Sequence, residues 1–278
     1  MEGREKSPFR MTPGEYEKNV ARIKRLRLLD DIFMRVVLKD NIEGVQDIVR
    51  ILLERDDIVV TEVRTQDDWP NLVGHSVILD VTARDSAGRW FNIEIQRASE
   101  GAGAKRARYH AGALDWHILP AGREYGSLPE VYVIMITETD VLEGGFPIYH
   151  IRRVVEETGR PFPDGAQILY VNGSYVGGDA VGRLMEDFRA VDPETMHHRS
   201  LADRAQYYKT TEGGLNSMCQ IMEEVRAEGR AEGRAENRAE MIRSLLLGSS
   251  EKDLLYDGRF KALHITPQEI EKAKTAKA

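Results

Sequence analysis

Apolar positions recur at helical spacing twice near the start of the chain. The first run, Ile32, Phe33, Val36 and Val37, follows Asp30 and Asp31, either of which can cap a helix. The second, from Ile42 to Glu54, puts Ile42, Val45, Ile48, Val49 and Leu52 on one face. Ile58 to Thr65 then alternates as a strand. Within Ser76–Arg97 two strand-like runs, VILDVTAR and RWFNIEIQ, flank Asp85-Ser86-Ala87-Gly88, which predicts a hairpin. From Lys105 the spacing predicts a helix packed through Ala107, Ala111 and Leu114. VYVIMI, from Val131 to Ile136, reads as a strand covered on both faces. Pro147–Arg152 and Gln167–Asn172 are further strand candidates. The order of these elements predicts a mixed α/β domain, and after Asp192-Pro193 the chain turns helical and charged.

The hairpin fixes its own register. With Ser86, Ala87 and Gly88 as a three-residue loop and Gly88 left-handed, Asp85 pairs with Arg89. Thr82 then faces Asn92, Asp80 faces Glu94, and Gln96 shares the face of Glu94. A two- or four-residue loop would send Glu94 and Gln96 to the opposite side. Carboxylates directly opposite, with Cβ atoms roughly 5 Å apart, repel unless something positive lies between them. A divalent cation fits: oxygen ligands from two carboxylates hold Mg²⁺, which retains waters and binds substrate phosphate. Gln96 can orient a water or touch phosphate, but it carries no charge.

Composition narrows the partners. Of 278 residues, 41% are hydrophobic, enough for a sizeable core. The net charge of −7, from 39 basic and 46 acidic residues, excludes a blanket polyanion binder, so contact with DNA needs a local basic patch. Arg97, Lys105, Arg106 and Arg108 supply four cations against Glu100, with Tyr109 able to stack or hydrogen-bond. A second basic run, Arg22 to Arg27, lies in residues 1–28, which read as an extended arm leading into a helix. The lone Cys219 excludes an intrachain disulfide and a cysteine zinc cage. No amino-terminal apolar signal and no run of about 18 apolar residues appear, so the expectation is a cytoplasmic protein with no membrane partner. His110 and His117 lie two helical turns apart and are read as structural, and Ser200 and Cys219 have no partners for nucleophilic catalysis.

RAEGRAEGRAENRAE, from Arg226 to Glu240, repeats every four residues. Within it no Glu stands three or four residues from an Arg, and the two charges fall on roughly opposite helix faces. That arrangement suits contact with another chain, which makes homo-oligomerisation through the repeat one expectation and a solvated linker helix the other.

Four stretches, LLDDIFMRVVLKDN, ILDVTARDSAGRWFNIEIQ, KRARYHAGAL and REYGSLPEVYVIMI, resemble in order the PD-(D/E)xK nuclease superfamily, most closely its transposase-like, recombination-promoting branch. The likeness covers roughly Leu28 to Thr137 and continues more weakly to about Asp187. It implies a restriction-endonuclease-like core, a central mixed sheet flanked by helices, with a helical C-terminal extension. It implies domains at 1–28 (arm), 29–192 (nuclease-like) and 193–278 (charged helical region). It also implies a DNA endonuclease using Mg²⁺ or Mn²⁺. Asp80 and Glu94 match the family's metal ligands, Gln96 stands where the superfamily usually has lysine, and Asp30 or Asp31 matches a supporting acid. Leu79 stands before Asp80, where the superfamily's proline would be. The rival expectations are a DNA-binding protein of the same fold that cuts little or nothing, and an interaction module built on the repeat.

Overall fold

The apolar run Val131–Thr137 lies at the centre of a mixed sheet, every residue of it buried. The computed structural model describes residues 11–69, 77–97 and 99–275. Before the sheet come α1 (Pro13–Ile23), α2 (Asp31–Leu38) and α3 (Ile42–Leu53). The sheet itself contains β1 (Val60–Trp69), β2 (Val77–Asp85), β3 (Trp90–Gln96), β4 (Val131–Thr137), β5 (Ile148–Ile151) and β8 (Ala166–Asn172), with α4 (Ala104–Ile118) between β3 and β4. β6 (Val154–Val155) pairs with β7 (Arg160–Pro161) in a separate ribbon. The strand order is β1-β2-β3-β4-β8-β5. β1, β2 and β3 form an antiparallel meander, β3, β4 and β8 run parallel, and β5 returns antiparallel at the edge. This mixed six-stranded sheet with flanking helices is the restriction-endonuclease-like α/β fold that the sequence implies.

Helix α4 forms the crossover between β3 and β4 and packs Ala107, Ala111 and Leu114 against Val131, Val133 and Met135. Parallel register pairs Glu94 with Met135, so Glu94 faces the same layer as α4. On the other side α2 and α3 pack on β1. Asn41 caps α3 through its side-chain oxygen to the N–H of Gly44. Residues 13–23, expected within an extended arm, form a helix instead. Thr12 and Glu15 make a reciprocal capping box, and Ile23 is fully buried. Residues 1–10 and Ser76 lie outside the described residues.

Contacts divide the described chain into two compact units, residues 11–218 and 219–275. The larger runs past Asp192 and includes α5 (Ala180–Arg189) and α6 (Arg199–Thr210). Asn41 Nδ2 donates to the carbonyl of Ser200 at 2.9 Å, and the Ser200 hydroxyl donates to Asp47. The smaller unit holds most of α7 (Glu212–Leu246), with α8 (Glu251–Tyr256) and α9 (Pro267–Thr275). Ile242, Leu254, Ile265 and Ile270 form its core. The four-residue repeat is helical, and its last arginine, Arg238, pairs with Glu269 at 2.8 Å.

Candidate active site

The site begins at the turn that sets the hairpin register. Gly88 has φ +85°, a conformation that disfavours any side chain, and its N–H closes the turn onto the carbonyl of Asp85. The fully buried Asp85 carboxylate accepts from the N–H groups of Ala87 (3.0 Å) and Arg89 (2.8 Å) and from Arg89 Nε (2.5 Å). Arg89 also reaches Asp57 at 2.9 Å. The ladder then follows the expected register, Arg84 with Trp90, Thr82 with Asn92 and Val81 with Ile93.

At Asp80 the regular pairing stops. On the β1 side, Thr65 pairs with Val81 and Asp67 with Leu79, and between them Gln66 takes φ 54°, costly for a residue with a side chain. On the β3 side the carboxylates replace backbone rungs. The N–H of Asp80 donates to Glu94 Oε1 at 3.1 Å, and the N–H of Ile95 donates to Asp80 Oδ2 at 3.4 Å. Asp80 and Glu94 therefore meet across β2 and β3, and irregularities of this kind cluster beside active sites.

Glu94 is fully buried and held from several directions. Asn92 Nδ2 donates to its Oε1 at 2.9 Å, and His110 Nδ1 on α4 lies 3.5 Å from the same oxygen. That ring nitrogen is also 3.3 Å from Asn92 Oδ1. Both neighbours are acceptors, so Nδ1 carries the proton. Arg106 Nη2 stands 3.8 Å from Oε2. Burial alone would raise the Glu94 carboxyl, but bonding from His110, Asn92 and the Asp80 N–H brings it below its ordinary value. Asp80 goes the other way: burial, then the charges of Glu94 and Asp31, push it up to about 8.

The third carboxylate comes from α2. Asp31 is raised by burial, held back by Arg35, raised again by the charge of Glu94, and lowered by hydrogen bonding with Asp80. Arg35 Nη2 lies 2.9 Å from Asp31 Oδ2. Asp30, the other candidate, turns elsewhere: it accepts from the Arg27 N–H at 2.7 Å and from Arg97 Nη1 at 2.8 Å. Among the described residues, three buried polar atoms of this cluster lack a hydrogen-bond partner, Asp31 Oδ1, Glu94 Oε2 and Arg35 Nε, although Arg106 stands in ion-pair range of Glu94 Oε2.

Gln96 lies one pleat beyond Glu94, and its side chain rests on Gly101. A Cβ at that glycine would come within 2.1 Å of Gln96 Oε1. The basic cluster does not form one patch. Arg97 is tied to Asp30 and to Glu138 (3.0 Å). Arg106 leans toward Glu94, while Arg108 projects about 200° further round α4. Lys105 and Tyr109 are exposed on the same helix. Asn92, His110 and Arg35 are site residues that sequence reasoning missed. Asn92 was accessible to it, because strand alternation puts it two residues from Glu94 on the same face.

Among the described residues, no three His, Cys, Asp or Glu side chains are arranged around one ion position. The donor set nevertheless fits a hard divalent cation. All its ligands would be carboxylate oxygens, two buried acceptor atoms are orphaned, and the mutual repulsion of three acids is what such an ion relieves. No curated protein and no solved structure matches the chain. Residues 56–175, which carry Asp80, Asn92, Glu94, Gln96 and His110 but not Asp31 or Arg35, match the family model for the PD-(D/E)XK nuclease family transposase, and with it comes a nuclease- or transposase-related function.

Proposed function

We propose that the chain is a divalent-metal-dependent endonuclease that hydrolyses phosphodiester bonds in DNA, with Asp80 and Glu94 as metal ligands and Asp31 as the supporting acid. The observation that carries this is the pair of orphaned buried oxygens, Glu94 Oε2 and Asp31 Oδ1, at the point where Asp80 is pushed up to about 8. When bound, Mg²⁺ or Mn²⁺ supplies a more acidic water and stabilises charge developing on phosphate. The protein's part is positional. Asn92 and His110 hold Glu94 Oε1, which leaves Oε2 turned to the site. Arg106, half exposed beside Glu94, offers a phosphate a cation, and Gln96 hydrogen-bonds water or a phosphate oxygen. Because Gln96 is neutral where the superfamily usually has lysine, the enzyme is slow.

Lys105, Arg106, Arg108 and Tyr109 contact the DNA backbone in this reading, and Arg97 serves to fasten strand ends. The repeat from Arg226 joins copies of the chain, with truncation before it expected to lower the mass in solution. Among the described residues no helix is long and apolar enough to cross a membrane. Supercoiled plasmid with Mg²⁺ or Mn²⁺ tests the activity. Nicking is expected from the parent and none from Asp80→Ala, with loss of Mn²⁺ binding by calorimetry. Nicking that survives Asp80→Ala refutes the assignment.

A further inference from the structure

A cavity of about 470 Å³ opens against α4, within the size range of small-ligand pockets. Its walls are apolar: Ala107 and Ala111 on α4, Ile168 and Tyr170 on β8, and Leu142 beyond β4. Arg108, Arg152 and Arg153 stand among its lining residues, and among the described residues no acidic side chain does. Arg153 is paired with Asp164, whereas Arg108 and Arg152 are exposed. The helix begins at the cavity with Gly103, which caps α4 without a side-chain hydrogen bond.

The cavity adjoins the carboxylate site through a single residue step. Gln96 packs on Gly101, and Ala102, the next residue, lines the cavity. Around α4, Arg106 and His110 reach Glu94 on one side of the buried stripe, while Ala104, Arg108 and Ala111 line the cavity on the other. One helix end thus borders both.

Apolar walls and a positive mouth select an apolar body carrying anionic groups. The cations come from two elements, Arg108 from α4 and Arg152 from the segment after β5. A single carboxylate, as on a fatty acid, answers one of them. A nucleotide within a strand has a planar base between two phosphates and answers both. We infer that the cavity receives the base of an unstacked nucleotide next to the phosphate held at Asp80 and Glu94, so that the substrate is single-stranded or locally unpaired DNA. This rests on the nuclease reading and names its substrate class. Removing a base from a paired stack costs free energy that an unpaired base has already lost, which gives the preference its direction.

The test uses the full-length Asp80→Asn protein, which should not cut, and single-stranded oligonucleotides carrying 2-aminopurine. Binding should raise 2-aminopurine fluorescence, and the same sequence in a duplex should give a smaller rise. Ala111→Phe, which fills the cavity, should abolish the rise and weaken single-strand binding about tenfold. Arg152→Glu, at an exposed position that leaves the core untouched, should also weaken it. The cavity assignment is overturned if fluorescence does not change on binding, or if both variants bind like the parent. Its failure is separable from that of the nuclease reading. A fluorescence rise with no nicking by the parent removes the nuclease alone, and nicking with no rise removes the cavity alone.

Discussion

Replacing Asp80 by asparagine should make the metal-free protein more stable at pH 8, the reverse of what deleting a buried hydrogen-bonding group usually does. The folded Asp80 carboxyl sits at about 8 against an ordinary value of 3.8. The folded state therefore holds a proton that the unfolded chain releases, and the stability linked to it is complete below about pH 4 and lost progressively up to about pH 8. Such a displacement corresponds to roughly 6 kcal/mol at most. Asparagine keeps the shape, removes the charge and retains a polar group to satisfy, so roughly 2–3 kcal/mol should be recovered. For a unit of this size that is about 5–10 °C in unfolding temperature. All three tryptophans, Trp69, Trp90 and Trp116, precede Met218, so their fluorescence reports the larger unit alone. Melts in EDTA at pH 5, 6, 7 and 8 should show the parent losing stability with rising pH and Asp80→Asn losing much less. Saturating Mg²⁺ should restore the parent at pH 8 and leave the variant unmoved. A parent melting temperature flat from pH 5 to 8, or a variant no more stable at pH 8, would show that the three acids do not repel one another as described.

His110→Ala should lower Mn²⁺ affinity about tenfold by calorimetry, because Glu94 loses a partner that orients it, and His110→Gln should recover part of the loss. Affinity unchanged in His110→Ala would leave the histidine a packing residue only. Gly101→Ala pushes on the flexible end of Gln96 and not on backbone, so unfolding should move by less than about 0.5 kcal/mol while nicking slows. Equal rates would remove Gln96 from the chemistry. Arg106→Ala should reduce the salt slope of DNA binding by about one, whereas Arg97→Ala, whose cation is already matched by Asp30 and Glu138, should leave it unchanged. Reversed slopes would put the phosphate path at the end of β3.

Sequence could carry the hairpin all the way to its register, because turn length and strand alternation are local and leave one arrangement that joins Asp80 to Glu94. It could not separate Asp30 from Asp31. The two are neighbours at a helix start, and the choice depends on Arg97 and Glu138, which are remote in the chain and fold beside Asp30. The basic cluster divides for a related reason. Closeness in sequence says little about direction on a helix, so Arg106 and Arg108 face different surroundings. His110 looked structural because its partner sits on another element, and Arg35 gave no signal because its value lies in the charges it faces. Insertion of β8 between β4 and β5 is likewise a tertiary outcome with no local code.

The three-residue turn at Ser86–Gly88 also bears on the order of folding. It joins Asp80 and Glu94 across a short loop, a contact that closes on the microsecond scale of hairpins. Asp31 and the parallel strands β4 and β8 must travel much further along the chain and close later. If the hairpin belongs to the folding nucleus, carboxylate repulsion is present in the transition state, and metal captured by Asp80 and Glu94 alone would speed folding. Metal that requires Asp31 would only slow unfolding. The limb of a chevron that shifts on adding Mg²⁺ therefore reports whether two carboxylates or three make the first grip on the ion.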